Sequence, residues 1–215
     1  MNPIKKNLIR VLNFCQTRVH VIRRRLIAPK LPINPDGRTF VNVGCGLSTG
    51  KKFTNVDALP FSNVHYISDI RVLSMFMDDS VDLIYASHVV EHIPRSELPG
   101  VLTEWRRALK PGGVLRISVP DFDSLLAVYD SSGRQINAIL ANLMGQDPPY
   151  NCHYSVWNQP YAEDVFRSCG FVHPRRWDPR TAEHHEFEDR SGRMLETRQG
   201  SVPLSLNIEA EKPRR

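Results

Sequence analysis

The run Phe40-Val41-Asn42-Val43 breaks at Gly44-Cys45-Gly46, and a second apolar run, Asn55-Val56-Asp57, ends in a carboxylate. A buried parallel strand that stops at glycines lets backbone N–H groups approach a ligand closely, and an acid at the tip of the next strand can accept from both hydroxyls of a ribose. The pattern predicts a nucleoside-cofactor site. Gly44 and Asp57 are only 13 residues apart, whereas a dinucleotide fingerprint sets a full helix between its glycines and an acid about 20 residues on. That spacing disfavours NAD. The stretch Gly44 to Lys52 also fails as an ATP-binding P-loop. Cys45 stands where the first glycine is needed, and Lys52 stands where Ser or Thr would hold magnesium.

Downstream, residues 64–67 read as a third short strand ending near Asp69, and residues 81–86 as a fourth. Then come Ser87-His88-Val89-Val90-Glu91-His92-Ile93, an amphipathic helix over roughly 96–109, the stop signal Lys110-Pro111-Gly112-Gly113, and a fifth strand over 114–119 that closes at Pro120-Asp121. Pro160 opens a helix ending at Gly170, and residues 171–177 and 203–211 supply the last two strands. Strands alternating with helices predict a doubly wound α/β sheet.

The order of these motifs resembles the class I S-adenosylmethionine (SAM) dependent methyltransferases, specifically the type 11 group, and is especially similar to small bacterial members associated with cell-surface polysaccharide synthesis. The resemblance spans residues 39–212. It is carried by Val41 to Gly46 with the short crossover to Thr54-Asn55-Val56-Asp57, by Ser87 to His92, by Leu109 to Ile117, and by the tail Ser205 to Pro213. It implies a Rossmann-like seven-stranded, mostly parallel sheet whose last strand is antiparallel. It also implies SAM as cofactor: Gly44, Cys45 and Gly46 pass under the methionine portion, Asp57 binds the ribose, Asp69 accepts from the adenine amino group, Ala58 and Ile70 lie on the ring faces, and Ser87 joins the cofactor set. On the residues alone, Asp69 reads equally as the N-cap of a helix over 70–76.

At 215 residues and 41% hydrophobic content the chain can bury one substantial core, placed at residues 38–215, and nothing suggests a repeat or second domain. No apolar run approaches the roughly 20 residues needed to cross a bilayer. Cys15, Cys45, Cys152 and Cys169 show no paired spacing and read as reduced thiols of a cytoplasmic protein. Residues 1–30 carry eight basic side chains and no acid, leaving 20 basic against 23 acidic over residues 31–215, a net of −3. A mildly acidic body argues against nucleic acid as a partner.

The N-terminal segment has a helical period, with Ile4, Leu8, Val11, Leu12, Cys15, Val19, Ile22 and Leu26 on one face. It reads as a basic amphipathic helix over 1–30 that packs on the domain or on a second copy, giving a homodimer, or docks peripherally on the acidic inner face of a membrane.

The catalytic question centres on His88, Glu91 and His92. As a bare pattern His-x-x-Glu-His is a zinc-peptidase motif, but that motif needs a long helix and here a strand is ending. Ubiquinone-pathway and small-RNA methyltransferases place Glu-x-x-Glu-His at this loop to hold a divalent ion. This chain has His88 at the first position, so metal ligands are left unassigned. Without a metal the loop still lines the pocket, because ligands of open parallel sheets bind beyond the carboxyl ends of the strands. A hydroxyl acceptor benefits from a base near neutral pKa, which makes His88, His92 and His153 the catalytic candidates. Glu91, Asp121, Tyr154 and Trp157 are the substrate-binding candidates.

Residues 131–160 look like substrate-side structure, with the aperiodic, aromatic-rich and proline-rich stretch Gln146 to Trp157 as a binding loop; Tyr150, Tyr154 and Trp157 either stack on a sugar or cap the core. Residues 178–201 read as a solvated charged loop, with Glu196 to Arg198 near the pocket mouth. The expected activity is methyl transfer to a small-molecule or glycan hydroxyl. The rivals are a noncatalytic SAM-fold protein recruited through its basic helix and a methyltransferase acting on protein or RNA.

Overall fold

A computed structural model describes residues 29–146 and 151–214. The basic segment expected to form a helix over 1–30 lies almost wholly outside the described residues, as do Cys15 and Tyr150. Among the described residues there are nine strands: β1 (Phe40–Val43), β2 (Phe53–Asp57), β3 (Tyr66–Ile67), β4 (Val81–Ser87), β5 (Leu109–Pro120), β6 (Val172–Arg176), β7 (Met194–Thr197), β8 (Gly200–Pro203) and β9 (Ser205–Glu211). The helices are α1 (Leu98–Ala108), α2 (Phe122–Ser131), the short α3 (Leu140–Met144) and α4 (Gln159–Ser168).

Seven strands form one sheet in the order β3-β2-β1-β4-β5-β9-β6. The five from β3 to β5 are parallel, and β9 runs antiparallel to both of its neighbours. This is the Rossmann-like topology expected. Every residue of β1 and β2 is buried, as strands inside a parallel sheet must be. The buried amides that interrupt their apolar run are satisfied: Asn42 Nδ2 donates to Asn55 Oδ1 (3.3 Å) and Asn55 Nδ2 to the Asn63 carbonyl (3.0 Å). Turns alone join β1 to β2, which accounts for the short spacing between the glycines and Asp57.

Helix α1 buries Leu98, Val101, Leu102, Trp105 and Ala108, the spacing of one helical face. Pro99 sits in its first turn, where a missing N–H does no harm, and Arg106 and Arg107 occupy its last. Its Trp105 packs in the main core with Val41, Ile84, Ile117 and Ile208. Helix α4 is capped by Asn158, whose side chain accepts from the Tyr161 N–H, with Pro160 in the first turn.

Four expectations change. Strand β5 begins at Leu109 rather than Val114, and Lys110 to Gly113 form a bulge within it, marked by the register jump from Val81↔Leu109 to Leu83↔Val114. A Cβ at Gly113 would lie 2.9 Å from the Lys110 carbonyl, so the bulge requires a glycine there. No helix covers 70–76: Asp69 accepts from the Arg71 N–H (2.9 Å) in a side-chain turn instead of capping one. The third strand keeps only Tyr66–Ile67. Residues 178–201 are more than a solvated loop, because Phe187 buries against Phe40, Phe53, Tyr85 and Trp177 in a second core, and β7 pairs with β8 as a separate hairpin. Among the described residues no helix is long and apolar enough to cross a membrane, and Cys45, Cys152 and Cys169 are free thiols.

Candidate active site

Parallel strands end on one edge of the sheet, so Gly44 after β1, Asp57 ending β2, Ser87 ending β4 and Asp121 after β5 gather on that edge. The glycine turn needs its glycines. Gly44 (φ +62°) and Gly46 (φ +52°) occupy the left-handed region, and a Cβ at Gly44 would strike the Val89 side chain at 2.5 Å. At Gly46 nothing lies within 4 Å of where a Cβ would be, leaving space over the turn. The N–H groups of Gly44 and Cys45 both donate to the Val56 carbonyl (2.8 and 3.3 Å).

Asp57 is buried, with one carboxylate oxygen accepting from the Gly46 N–H and the other from the Leu59 N–H, each at 2.8 Å. Each oxygen keeps a second lone pair for a ligand hydroxyl. Burial, and then the negative charge of Asp57, push the Cys45 thiol up to about 12. Asn63, which the pattern of strands did not single out, donates through Nδ2 to the carbonyls of Gly46 (3.0 Å) and Ser48 (3.2 Å), tying the turn to the segment before β3. The space above Gly46, the acid at the tip of β2 and the exposed Ala58 beside it fit the nucleoside portion of SAM.

Asp69 is exposed and committed to Arg71, whose Nε lies 3.0 Å from both carboxylate oxygens, whose Nη2 donates to Asp69 as well (2.8 Å) and whose Nη1 donates to Glu97 (2.6 Å). Hydrogen bonding from Arg71 holds the Asp69 carboxyl below its ordinary range. Ile70 is half-buried, and its carbonyl accepts from Trp105 Nε1.

Beyond β4 the chain turns sharply. His88 takes φ +54° and its N–H donates to the Ser118 carbonyl (2.7 Å), and Val90–His92 form one 3-10 turn. No long helix carries His88 and His92 on one face, so the peptidase-like reading of His-x-x-Glu-His fails on geometry. The turn instead points Glu91 inward, where it is fully buried, and sets the His92 ring against that of His153 (centroids 4.8 Å, T-shaped). Desolvation by burial lowers the His153 pKa, with the Glu91 charge working against it. The loop carrying His153 is held to this turn by the Tyr154 N–H, which donates to the Glu91 carbonyl (2.8 Å).

His88, His92 and His153 line one cavity of about 290 Å³ together with Ala141, Asn142, Gly145, Gln146, Asn151 and Arg190. All three catalytic candidates therefore meet. Of the substrate candidates, Tyr154 follows His153 and is half-exposed but does not line the cavity, and two others lie elsewhere. Trp157 is 1% exposed, packs in the main core and donates from Nε1 to Ser155 Oγ, so it caps the core and offers no ring face to a sugar. Asp121 is buried and spends its side chain on the Asp123 N–H as the N-cap of α2, with Arg176 at 3.5 Å; desolvation raises its carboxyl. Glu196 to Arg198 form the exposed end of the β7–β8 hairpin, where the Arg198 N–H donates to Ser131 Oγ. Asn142 and Asn151 come from the segment read as substrate-side structure, though neither was singled out, and Arg190 comes from the stretch read as a solvated loop.

The comparisons with known proteins agree with this geometry. Residues 51–117 match the family model of a methyltransferase domain, type 11. The fold is similar to that of a SAM-dependent methyltransferase from Methanosarcina mazei, with 18% identity over 86% of this chain and 100% of that one and a TM-score of 0.51. It is also similar to one from Archaeoglobus fulgidus, with 16% identity over 94% of this chain and 99% of that one and a TM-score of 0.51. No curated protein sequence matches. With the seven-stranded sheet, the glycine turn and the acid at the tip of β2 in place, the chain has the class I SAM-dependent methyltransferase fold, and its residues 51–117 match the type 11 methyltransferase domain.

Proposed function

We propose that the protein transfers the methyl group of SAM to a hydroxyl of a small molecule or glycan held in the His88, His92 and His153 cavity. The observation that carries this reading is the pairing of a small, polar, histidine-lined cavity with the carboxyl edge of the sheet, next to the loop that follows β4. SAM supplies an activated methyl group, so the protein's task is to hold the acceptor oxygen in line at near-attack distance and to remove its proton.

This chain's residues divide that task. Gly44, Cys45, Gly46 and Asp57 hold the donor, and Asn63 keeps the glycine turn closed against β2. Asn142, Asn151 and Arg190 offer hydrogen bonds to an acceptor rich in oxygen, Tyr154 offers a half-exposed ring, and the histidine cluster takes up the hydroxyl proton. A cavity of about 290 Å³ suits one sugar-sized unit better than a peptide or RNA strand, and the net charge of −3 over residues 31–215 disfavours a polyanion. The setting we favour is the cytoplasmic assembly of cell-surface polysaccharide.

The test is calorimetry with SAM and S-adenosylhomocysteine, followed by transfer of labelled methyl to nucleotide sugars and cell-surface glycans. Binding of both ligands with label on a sugar hydroxyl is expected. SAM binding without any transfer would favour a noncatalytic binding protein, and label on protein or RNA alone would overturn the acceptor class.

A further inference from the structure

Glu91 is the most deeply buried acid of the described residues, at 0% exposure, yet neither of its carboxylate oxygens receives a hydrogen bond. A carboxylate out of water needs a cation or donors around it. His88 Nδ1 lies 3.2 Å from Oε1. Ser205 Oγ lies 2.9 Å from His88 Nε2 and donates its own proton to the Arg190 carbonyl (2.9 Å), so it accepts from His88 Nε2–H. In the neutral ring of that tautomer Nδ1 carries a lone pair, not a proton, and meets Glu91 without a donor between them.

The two histidines on the other side of Glu91 are oriented by backbone. His92 Nδ1 donates to the Cys152 carbonyl (3.1 Å) and His153 Nδ1 to the Leu143 carbonyl (3.2 Å), which leaves Nε2 of each ring as a free acceptor. One ligand atom each from Glu91, His92 and His153 lies within 4.8 Å of the others. Gly145 (φ +75°) makes room for the ring, because a Cβ there would fall 2.8 Å from His153 Cδ2.

We propose that Glu91, His92 and His153 bind one divalent cation of the zinc type, with its remaining positions open to the cavity. Two imidazoles and one carboxylate, each imidazole anchored by a carbonyl on its far nitrogen, are the donors and outer partners such a cation takes. Magnesium, which prefers oxygen ligands, fits this set less well. The cation supplies the positive charge that the buried carboxylate lacks. Its catalytic role, though not the site itself, rests on the hydroxyl-acceptor reading above. With the cation bound, His92 and His153 are its ligands and no longer act as bases; an acceptor hydroxyl bound at the open position would instead lose its proton to water more readily, and the freed oxygen would form the O–CH3 bond as the sulfur–methyl bond breaks, its electron pair going to sulfur.

The full-length chain, stripped with EDTA and dialysed, is titrated with zinc chloride by calorimetry, and separately with SAM. One zinc per chain is expected, bound at least about tenfold more weakly by Glu91→Gln and by His153→Ala, which lies on a loop and guards against a folding defect in the buried variant. Cys152→Ser, beside the site, should bind zinc as the natural chain does. No stoichiometric uptake would overturn the proposal and leave a proton shared with His88 as what neutralises Glu91. Uptake that ignores both variants, or that is lost with Cys152→Ser, would overturn it equally. A chain that takes SAM but no zinc sinks only the cation, whereas one that takes zinc but no SAM sinks the methyl-transfer reading and keeps the site.

Discussion

At the scale of single residues, Asp57 combines two duties, because the carboxylate that would hold a ribose also fastens the glycine turn through the Gly46 N–H. Removing it outright would disturb both, so the informative change is Asp57→Asn, which keeps the size and one acceptor. Because its NH2 faces one of the two backbone N–H groups that the carboxylate satisfies, it should lower the melting temperature by several degrees yet still fold, and weaken SAM binding at least about tenfold, since hydrogen bonds to a charged acceptor contribute about 1.5 to 3 kcal/mol each. Unchanged SAM affinity in calorimetry would remove Asp57 from the cofactor site. Its neighbour Cys45 yields a pH prediction. The buried thiol keeps its proton up to about 12 in the folded chain, whereas the unfolded thiol ionises at its ordinary value of 9.0. The unfolded state therefore gains as pH rises from about 9 towards 12, and the thiol's contribution to stability is intact below that window. At pH 8 iodoacetamide should label Cys45 far more slowly in the folded chain than in urea, while the more exposed Cys152 is labelled in both. Equal rates for Cys45 would contradict its burial.

At the scale of elements, the loop from α3 to α4 holds one aromatic in the core, Trp157, and one half-exposed, Tyr154. Trp157→Ala should destabilise the fold by about 3 to 5 kcal/mol, since it empties a buried volume, whereas Tyr154→Ala should leave the urea midpoint nearly unchanged and act on acceptor affinity. A Trp157→Ala protein as stable as its parent would contradict the packing described. Periodicity could not separate these two residues, because both lie in a segment with no repeat and only tertiary contact decides which ring turns inward. The same limit explains other differences. Strands β1, β2 and β4 are legible because buried parallel strands are mostly apolar, with β1 breaking at glycine and β2 ending in an acid. The start of β5 is not, because Lys110 to Gly113 carry every local mark of a stop and only the pairing with Val81 and β9 carries the strand through them. Asp121 stands at a strand tip just as Asp57 does, yet it caps α2. Local sequence placed both acids on the right edge and left their partners to the fold. Asn142 reaches the cavity from the stretch read as substrate-side structure, and Arg190 from one read as a solvated charged loop, but nothing local singled out either residue.

At the scale of the whole molecule, charge and chemistry are segregated along the chain. The eight basic residues of the first 30 precede β1, and every residue placed around the glycine turn and the histidine cavity lies between Asn42 and Ser205. The contacts that close the turn and the cavity, from Asn42 to Asn55, Asn63 to Gly46 and His88 to Ser205, involve nothing before residue 29. Deleting residues 1–28 should therefore leave SAM affinity within about twofold in calorimetry. We propose that the segment serves association instead, with an anionic membrane surface or with a second copy of the chain. Salt separates the two. Attachment to vesicles of acidic lipid through Lys and Arg should fall away as ionic strength rises and the Debye length shrinks from about 10 Å at 0.1 M to about 3 Å at 1 M, whereas a dimer closed by the face of Leu8, Leu12, Val19 and Leu26 should persist. Sedimentation of the full-length and shortened chains, with and without such vesicles and at both salt concentrations, reads both outcomes. If the shortened chain unfolds or no longer binds SAM, the first 28 residues belong to the domain core and neither form of association is their purpose.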